Sequence, residues 1–423
     1  MKFSIITPTH RPNYIKELYE SIVEQTHTDW EWILYLNGKV KKSDLPKDIV
    51  NDQRVKIHVD SKCELSDNVG YQKYMAFNLG SGDVLVEVDH DDILMPNCLE
   101  ELNTVYEDNP SIGFVYSDDA ILSEAGDFPP FDPSGGWTHE YIEWKGKKLL
   151  AHHSFPPNAG ALSMIYYAPD HVRSWRKDIY KKVGGHNVNL SILDDQDLMT
   201  RTYLETEFYH IPKPLYIYRV HGDNTWIERN KAIQDGTWNM FNNWQQRLAE
   251  RDADLNGLRK IDIGGGLFGR SGYETVDIKN GDIIADLNER WPFEDGEVGV
   301  INASHVIEHL KDKHHTMSEL YRVLADGGWA FIEVPSTDGR GAWQDPTHVS
   351  FWNQNSFWYY TRQQQMDYIY NKDIKFQARD LQTAYPNQFF ADNQIYVTRA
   401  WLRAVKSNDR KKYPGQLLFD INM

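Results

Sequence analysis

The chain has 423 residues, too many for one ordinary hydrophobic core, so two domains are expected. With 40% hydrophobic and 13% aromatic residues it reads as globular, which excludes a mainly disordered protein. A net charge of −17 excludes a general nucleic-acid binder, whose phosphate footprint is basic, but leaves anionic ligands open where a metal neutralises them. Only Cys63 and Cys98 are present, so no disulfide framework is expected and a reducing compartment fits. The N-terminus reads as a strand entering a Pro turn rather than a signal peptide, and no apolar run approaches the roughly 18 residues of a spanning helix. The expectation is a soluble, cytoplasmic protein without a transmembrane segment; its oligomeric state is not readable.

In chain order, Phe3 to Thr7 is an expected strand, Tyr14 to Gln25 a helix, and Trp30 to Leu36 a second strand. Val55 to Val59 comes next as a strand, then Val69 to Leu79 as a helix and Val84 to Val88 as a buried strand. Such alternation predicts a parallel sheet covered by helices. Between Ser111 and Ala168, Gly and Pro clusters predict an irregular, loop-rich region. Arg229 to Asp254 is polar and helix-friendly, a connector that lends a helix to the second domain. Strand–helix alternation resumes at Lys260, with late strands at Ile374 to Gln377 and Gln394 to Val405.

Ligands of open α/β sheets collect at the carboxyl ends of strands. Asp89, Asp91 and Asp92 fall at such an end, where carboxylates one residue apart can hold a divalent ion, Mn²⁺ or Mg²⁺, that bridges a diphosphate. An isolated Asp-x-Asp is more often a solvated acidic turn. Here it stands in one order with Phe3 to Thr9, the helix carrying Asn68, Gly70 and Asn78, Gly184-Gly185, Asp194-Asp195 and Tyr218-Arg219-Val220-His221.

As a set, these segments resemble the family 2 glycosyltransferases, inverting enzymes with the nucleotide-binding A-type fold, over about Met1 to Asn224. The resemblance implies a nucleoside-diphosphate sugar as donor and a glycan or glycolipid as acceptor. It makes Asp91 a metal ligand, places Asp89 near the ribose or the metal, and brings His221 to the metal or diphosphate. It makes Asp195 the general base toward the acceptor hydroxyl, with Asp194 beside it. Thr7 and Thr9 become nucleotide contacts. Where relatives place paired Asp residues after the second strand, this chain has Asn37, whose neutral amide offers a different hydrogen-bond pattern to a base.

The second half carries a strand entering a glycine turn, Asp262-Ile263-Gly264-Gly265-Gly266. Such a turn lets backbone approach a ligand, although a tight structural turn explains it equally. Asp277 ends the next strand, where an acid accepts ribose hydroxyls, and Asp286 ends the following one, placed to meet an adenine amino group. With Trp291-Pro292-Phe293, the run Ala303 to Leu310 and the run Leu320 to Gly328, this succession looks like the class I S-adenosylmethionine-dependent methyltransferases, over about Gly257 to Lys406. Only nine positions separate Asp277 from Asp286, too few for a crossover helix, so Asn280-Gly281 is expected to make a tight link. His305, His309 and His348 are candidate proton acceptors, with His348 favoured. His305 and His309, four apart, are expected on one helix face, as a metal-like pair or as packing beside the cofactor. Around His348, the aromatics Trp343, Phe351, Trp352, Phe357 and Trp358 form either an acceptor platform or core.

The expected fold class is α/β with two doubly wound domains: an A-type glycosyltransferase fold over 1–228, a helical linker over 229–256, and a Rossmann-like methyltransferase fold over 257–423. The expected function is bifunctional, metal-dependent inverting sugar transfer plus S-adenosylmethionine-dependent O-methylation of a sugar. Two alternatives stand beside it: a methyltransferase carrying an inactive glycan-binding module, and methylation of a protein or small metabolite.

Overall fold

The computed structural model describes residues 1–60, 68–165, 168–222, 224, 227 and 229–421; Cys63 lies outside them. The chain folds into two compact units, Met1–Trp244 and Gln245–Met423. The segment read as a connector is a helix, Asn230–Leu255, and the division falls inside it. Among the described residues, no helix is long and apolar enough to cross a membrane.

Among the described residues the first unit holds ten strands: β1 (Phe3–Thr9), β2 (Trp30–Leu36), β3 (Val55–Val59), β4 (Val84–Glu87), β5 (Ile93–Leu94), β6 (Ile112–Ser123), β7 (Thr138–Trp144), β8 (Lys147–His153), β9 (Arg173–Arg176) and β10 (Glu207–Val220). Their order is β3-β2-β1-β4-β9-β6-β10-β5, with β7 and β8 attached to β6 as a hairpin. β3, β2, β1 and β4 run parallel, and every residue of β2 and β4 is buried, the signature of strands covered on both faces. β9 is antiparallel to both β4 and β6, which makes the sheet mixed. Because β1 has β2 on one side and β4 on the other, the topological switch point lies between β1 and β4. The carboxyl ends there carry Thr9, Asn37 and Asp89.

The loop-rich reading of Ser111 to Ala168 was wrong. That stretch contains the 12-residue strand β6, the β7–β8 hairpin and a helix at Ala159–Met164. The Gly and Pro clusters punctuate the hairpin's flanks; they do not dissolve the strands. Ile112 to Leu122 is buried throughout, so the tertiary setting outweighs the punctuation.

Among the described residues the second unit has seven strands: β11 (Arg259–Ile263), β12 (Glu274–Asp277), β13 (Ile283–Ile284), β14 (Val298–Ser304), β15 (Leu324–Pro335), β16 (Phe376–Ala384) and β17 (Val397–Ala404). The order is β13-β12-β11-β14-β15-β17-β16, with β17 antiparallel to both neighbours and the first five strands parallel. Its switch point lies between β11 and β14. β12 and β13 are parallel yet joined without a helix. The Asp282 carboxylate accepts from the Thr275 N–H and hydroxyl, both at 2.9 Å, while the Asp282 N–H donates back to that hydroxyl at 2.9 Å. This clasp closes the short link.

Candidate active sites

After β4 the chain turns and returns as β5, which pairs with β10. Two residues of β10 fix that turn. Tyr216 accepts from the Asp89 N–H at 3.0 Å and donates to Asp92 at 2.8 Å; Arg219 donates its N–H to Asp92 and its Nε to the Asp91 carbonyl, both at 2.7 Å. Asp92, fully buried and saturated by β10, is therefore a strut. Burial pushes it well above the usual carboxylate range, and the Asp91 and Asp89 charges add to that.

Asp91 sits on this braced turn, its Oδ2 lying 2.8 Å from His221 Nε2. The His221 ring stacks on Tyr14 at 5.6 Å, and the Arg219 guanidinium sits 4.5 Å from the same Tyr14 ring. An open cleft is bounded by Arg11, Tyr14, His90, Glu124 and His221. Asp89 stands beside the pair. Burial pushes it up to about 6, with Lys73 opposing and Glu87 and Asp91 adding to the rise. Carboxylates crowded in this way are relieved by a cation.

The second acidic pair opens the helix Asp194–Glu205, after Leu193 in the left-handed region at φ 63°. Its position is set by the helix Val69–Phe77, whose Gly70 N–H donates to the Leu190 carbonyl at 3.0 Å. A Cβ on Gly70 would lie 2.2 Å from the Asn187 carbonyl oxygen, so only glycine permits this approach. Arg173 on β9 donates to Asp195 Oδ2 at 2.7 Å and reaches Glu87 at 4.0 Å; Lys73 pairs with Glu87 and lies 3.9 Å from Asp194. Burial opposes ionisation of Asp195, but Arg173 and Lys73 outweigh it and hold the carboxyl below its ordinary range. Burial, with Lys73 opposing, pushes Asp194 up to about 7. The two neighbours thus have opposite protonation tendencies, and Asp195, whose side chain is 28% exposed, is the ionised and accessible one.

Sequence reasoning missed Arg173, Lys73 and Glu87. Arg173 lies directly across from Glu87 in the β4–β9 pairing, a relation between residues 86 positions apart that no local pattern reveals. Thr7 and Thr9 were expected as nucleotide contacts. Thr7 is fully buried, its hydroxyl accepting from the Trp32 indole at 3.0 Å; Thr9, also fully buried, donates to the Arg11 carbonyl at 2.6 Å. Both hydroxyls hold structure together. Asn37 is buried at the end of β2, its N–H donating to the Thr9 carbonyl at 2.9 Å.

In the second unit, Asp262 organises the glycine turn from below. It accepts from the Arg270 N–H and from Asn302 Nδ2, both at 2.7 Å. Gly264 adopts φ 72°, and a Cβ there would meet Val306 at 2.5 Å; Gly266 adopts φ 49° and would meet only Asp277, at 3.5 Å. The turn therefore leaves a backbone cradle facing the Asp277 carboxylate. Asp277 Oδ1 accepts from the Lys279 N–H at 2.9 Å, and Oδ2 faces Gly266. Asp286 is exposed after β13, held by the Asn288 N–H and side-chain amide at 2.9 Å, which lower its pKa.

His305 and His309 do not share a helix face. His305 sits at φ 53° after β14, and only a 3₁₀ turn, Ile307–His309, comes after it. The turn instead brings His309 to His348, with ring centroids 5.0 Å apart, and sets the buried Glu308 between His305 and His348 at 3.7 and 3.9 Å. The neighbouring Glu308 carboxylate, against partial burial, raises the His305 pKa. The aromatic segment divides: Trp352 and Phe357 are core, whereas Trp343 is exposed and stacks on Phe351 at 4.5 Å.

Comparison with known proteins matches residues 4–167 to "Glycosyl transferase family 2" and residues 240–379 to "Methyltransferase domain". The chain is 21% identical over 270 residues to a glucosyl-dolichyl phosphate glucuronosyltransferase of Haloferax volcanii, covering 60% of this chain and 78% of that one. It is 36% identical over 84 residues to a probable S-adenosylmethionine-dependent methyltransferase of Mycolicibacterium smegmatis, covering 19% of this chain and 31% of that one. Among solved structures, S. aureus TarS 1–349 in complex with UDP aligns with a TM-score of 0.42 at 16% identity, covering 60% of this chain and 71% of that one. The chain is a two-domain transferase that joins a family 2 glycosyltransferase domain to a methyltransferase domain.

Proposed function

We propose that the first unit transfers a sugar, with inversion, from a nucleoside diphosphate to a glycan or glycolipid acceptor, and that the second O-methylates a sugar using S-adenosylmethionine. The observation that carries the first half is the braced Asp91–His221 pair together with an ionised Asp195 held by Arg173. Asp195 takes the acceptor hydroxyl's proton while that oxygen bonds to the anomeric carbon and the bond to the diphosphate oxygen breaks. Carboxylates of Asp91 and Asp89 with the His221 imidazole make a donor set suited to Mn²⁺ or Mg²⁺. An ion held there supplies positive charge for the departing diphosphate. Arg173 keeps the base ionised and aimed, and the braced turn keeps Asp91 from swinging away.

In the second unit, the Gly264–Gly266 cradle and Asp277 would hold the adenosyl cofactor, with Asp286 toward its base. Bound there, the cofactor would supply a methyl group, and an imidazole of the His305–His348 cluster would take the proton of the acceptor hydroxyl. The alternative of an inactive glycan-binding module has against it the presence of Asp91, Asp195 and His221 together.

The test is a nucleotide-sugar panel with and without manganese, on the parent, Asp91→Ala and Asp195→Asn. Asp91→Ala should lose metal-dependent turnover. Asp195→Asn should keep nucleotide binding and lose about 10²–10⁴-fold in transfer. Full activity in excess chelator would remove the ion from the reading, and wild-type turnover in Asp195→Asn would move the base elsewhere.

A further inference from the structure

Glu308 is 2% exposed, and its Oε2 has no hydrogen-bond partner. A buried carboxylate oxygen left unpaired is unfavourable unless something compensates it. Its other oxygen, Oε1, has imidazoles at non-bonding range: His305 Nδ1 at 3.7 Å and His348 Nε2 at 3.9 Å. These separations are too long for hydrogen bonds, whereas two donors each about 2.1 Å from one ion lie roughly 3–4 Å apart. One ligand atom from each of Glu308, His309 and His348 falls within 4.8 Å of the others.

The imidazoles are also presented as ligands. His348 Nδ1 lies 2.9 Å from the Ala342 carbonyl, and His309 Nδ1 lies 3.2 Å from the Thr347 carbonyl. A carbonyl only accepts, and the Thr347 hydroxyl, also 3.2 Å from His309 Nδ1, gives its proton to Asp345 at 2.6 Å, so each neutral ring carries its proton on Nδ1 and its lone pair on Nε2. Metal-bound histidines are commonly oriented by such a partner. The cluster lies just past the carboxyl end of β14 at the unit's switch point, and Val306 packs against Gly264 of the glycine turn.

We propose that Glu308, His309 and His348 bind a divalent first-row transition ion beside the methyltransferase cradle, as a two-histidine, one-carboxylate site. Three protein ligands leave coordination positions open for an oxygen of the methyl acceptor, a role that rests on the O-methylation reading; the ion site itself does not. His348 is then a ligand rather than a proton acceptor, and the more exposed His305 remains to take the proton.

The experiment titrates Co²⁺ into chelator-dialysed full-length protein, following its ligand-field absorption, in an Asp91→Ala background that removes the ion proposed for the first unit. One equivalent should bind. His309→Ala and His348→Ala should each weaken it by about 100-fold or more. The near-isosteric Glu308→Gln should do the same while calorimetry shows S-adenosylmethionine binding retained, which separates loss of a ligand from loss of fold. Undiminished Co²⁺ affinity in these variants, or no Co²⁺ bound by Asp91→Ala alone, overturns the site. If Co²⁺ binds as expected but no sugar hydroxyl is methylated, only the acceptor reading falls.

Discussion

Gly70→Ala tests how closely the base is registered to the first unit's core. The added methyl would stand 2.2 Å from the Asn187 carbonyl oxygen, 2.7 Å from that of Leu190 and 3.2 Å from Asp194 Cβ. Carbon and oxygen need about 3.2 Å or more, so the loop or the helix Val69–Phe77 has to retreat by about 1 Å, at a cost of about 1–3 kcal/mol in stability. The loop is continuous with Leu193 and the first turn that carries Asp194 and Asp195, so the retreat moves the carboxylate away from the acceptor. A 1 Å misplacement of a reacting group costs on the order of 10²-fold in rate. Asp89, Asp91 and His221 belong to other elements and are expected to keep their places. The predicted signature is a fall in kcat for donor consumption with nucleotide affinity, measured by calorimetry, nearly unchanged. Turnover within about threefold of the parent, in a protein of unaltered Tm, would show that this contact does not position the base.

Asp194 is raised to about 7, so between the ordinary carboxylate pKa and that value the folded state holds a proton the unfolded chain has lost. Its contribution is present in full below the unfolded pKa and is lost as pH rises through the folded one, with a ceiling on the order of 4 kcal/mol. Denaturant melts from about pH 4 to 8 should show stability in the first unit declining with pH, and Asp194→Asn should flatten that slope. Asp277→Ala should weaken S-adenosylmethionine binding by about 10–100-fold, the worth of one or two charge-assisted hydrogen bonds, while sugar transfer by the first unit persists.

The parallel strands were legible because short segments rich in aromatic and β-branched residues end at Asn37, Asp60 and Asp89. Trp30–Leu36 and Val55–Val59 agree with the expected limits, as does the tight link at Asn280-Gly281. The long strand β6 was hidden because Ser117, Asp118 and Asp119 interrupt its apolar pattern, yet all three are buried. Candidate site residues at strand ends, such as Asp91 and Asp277, were proposed from order along the chain. Partners brought in from across a sheet were not: Arg173 meets Asp195 through β9, and His348 meets Glu308 through a turn 40 residues away. The supposed His305–His309 helix failed because four-residue spacing carries no meaning where the backbone leaves helical geometry at the first of the two.

The short clasp between Thr275 and Asp282 also shapes the energetics of whatever sits against it. A crossover helix at that point would have covered the sheet edge; without one, Ile278 and Ile284 stand 59% and 60% exposed, and Asp286 lies at the surface. A flat aromatic ring laid on this rim would stay wet on one side and recover only part of its burial energy. Affinity would then be concentrated in the polar clamp at Asp277 and the backbone amides of the cradle, and less in a hydrophobic slot. Such a ligand is held by directional contacts that break one at a time, which favours quick exchange of spent for fresh cofactor over long residence.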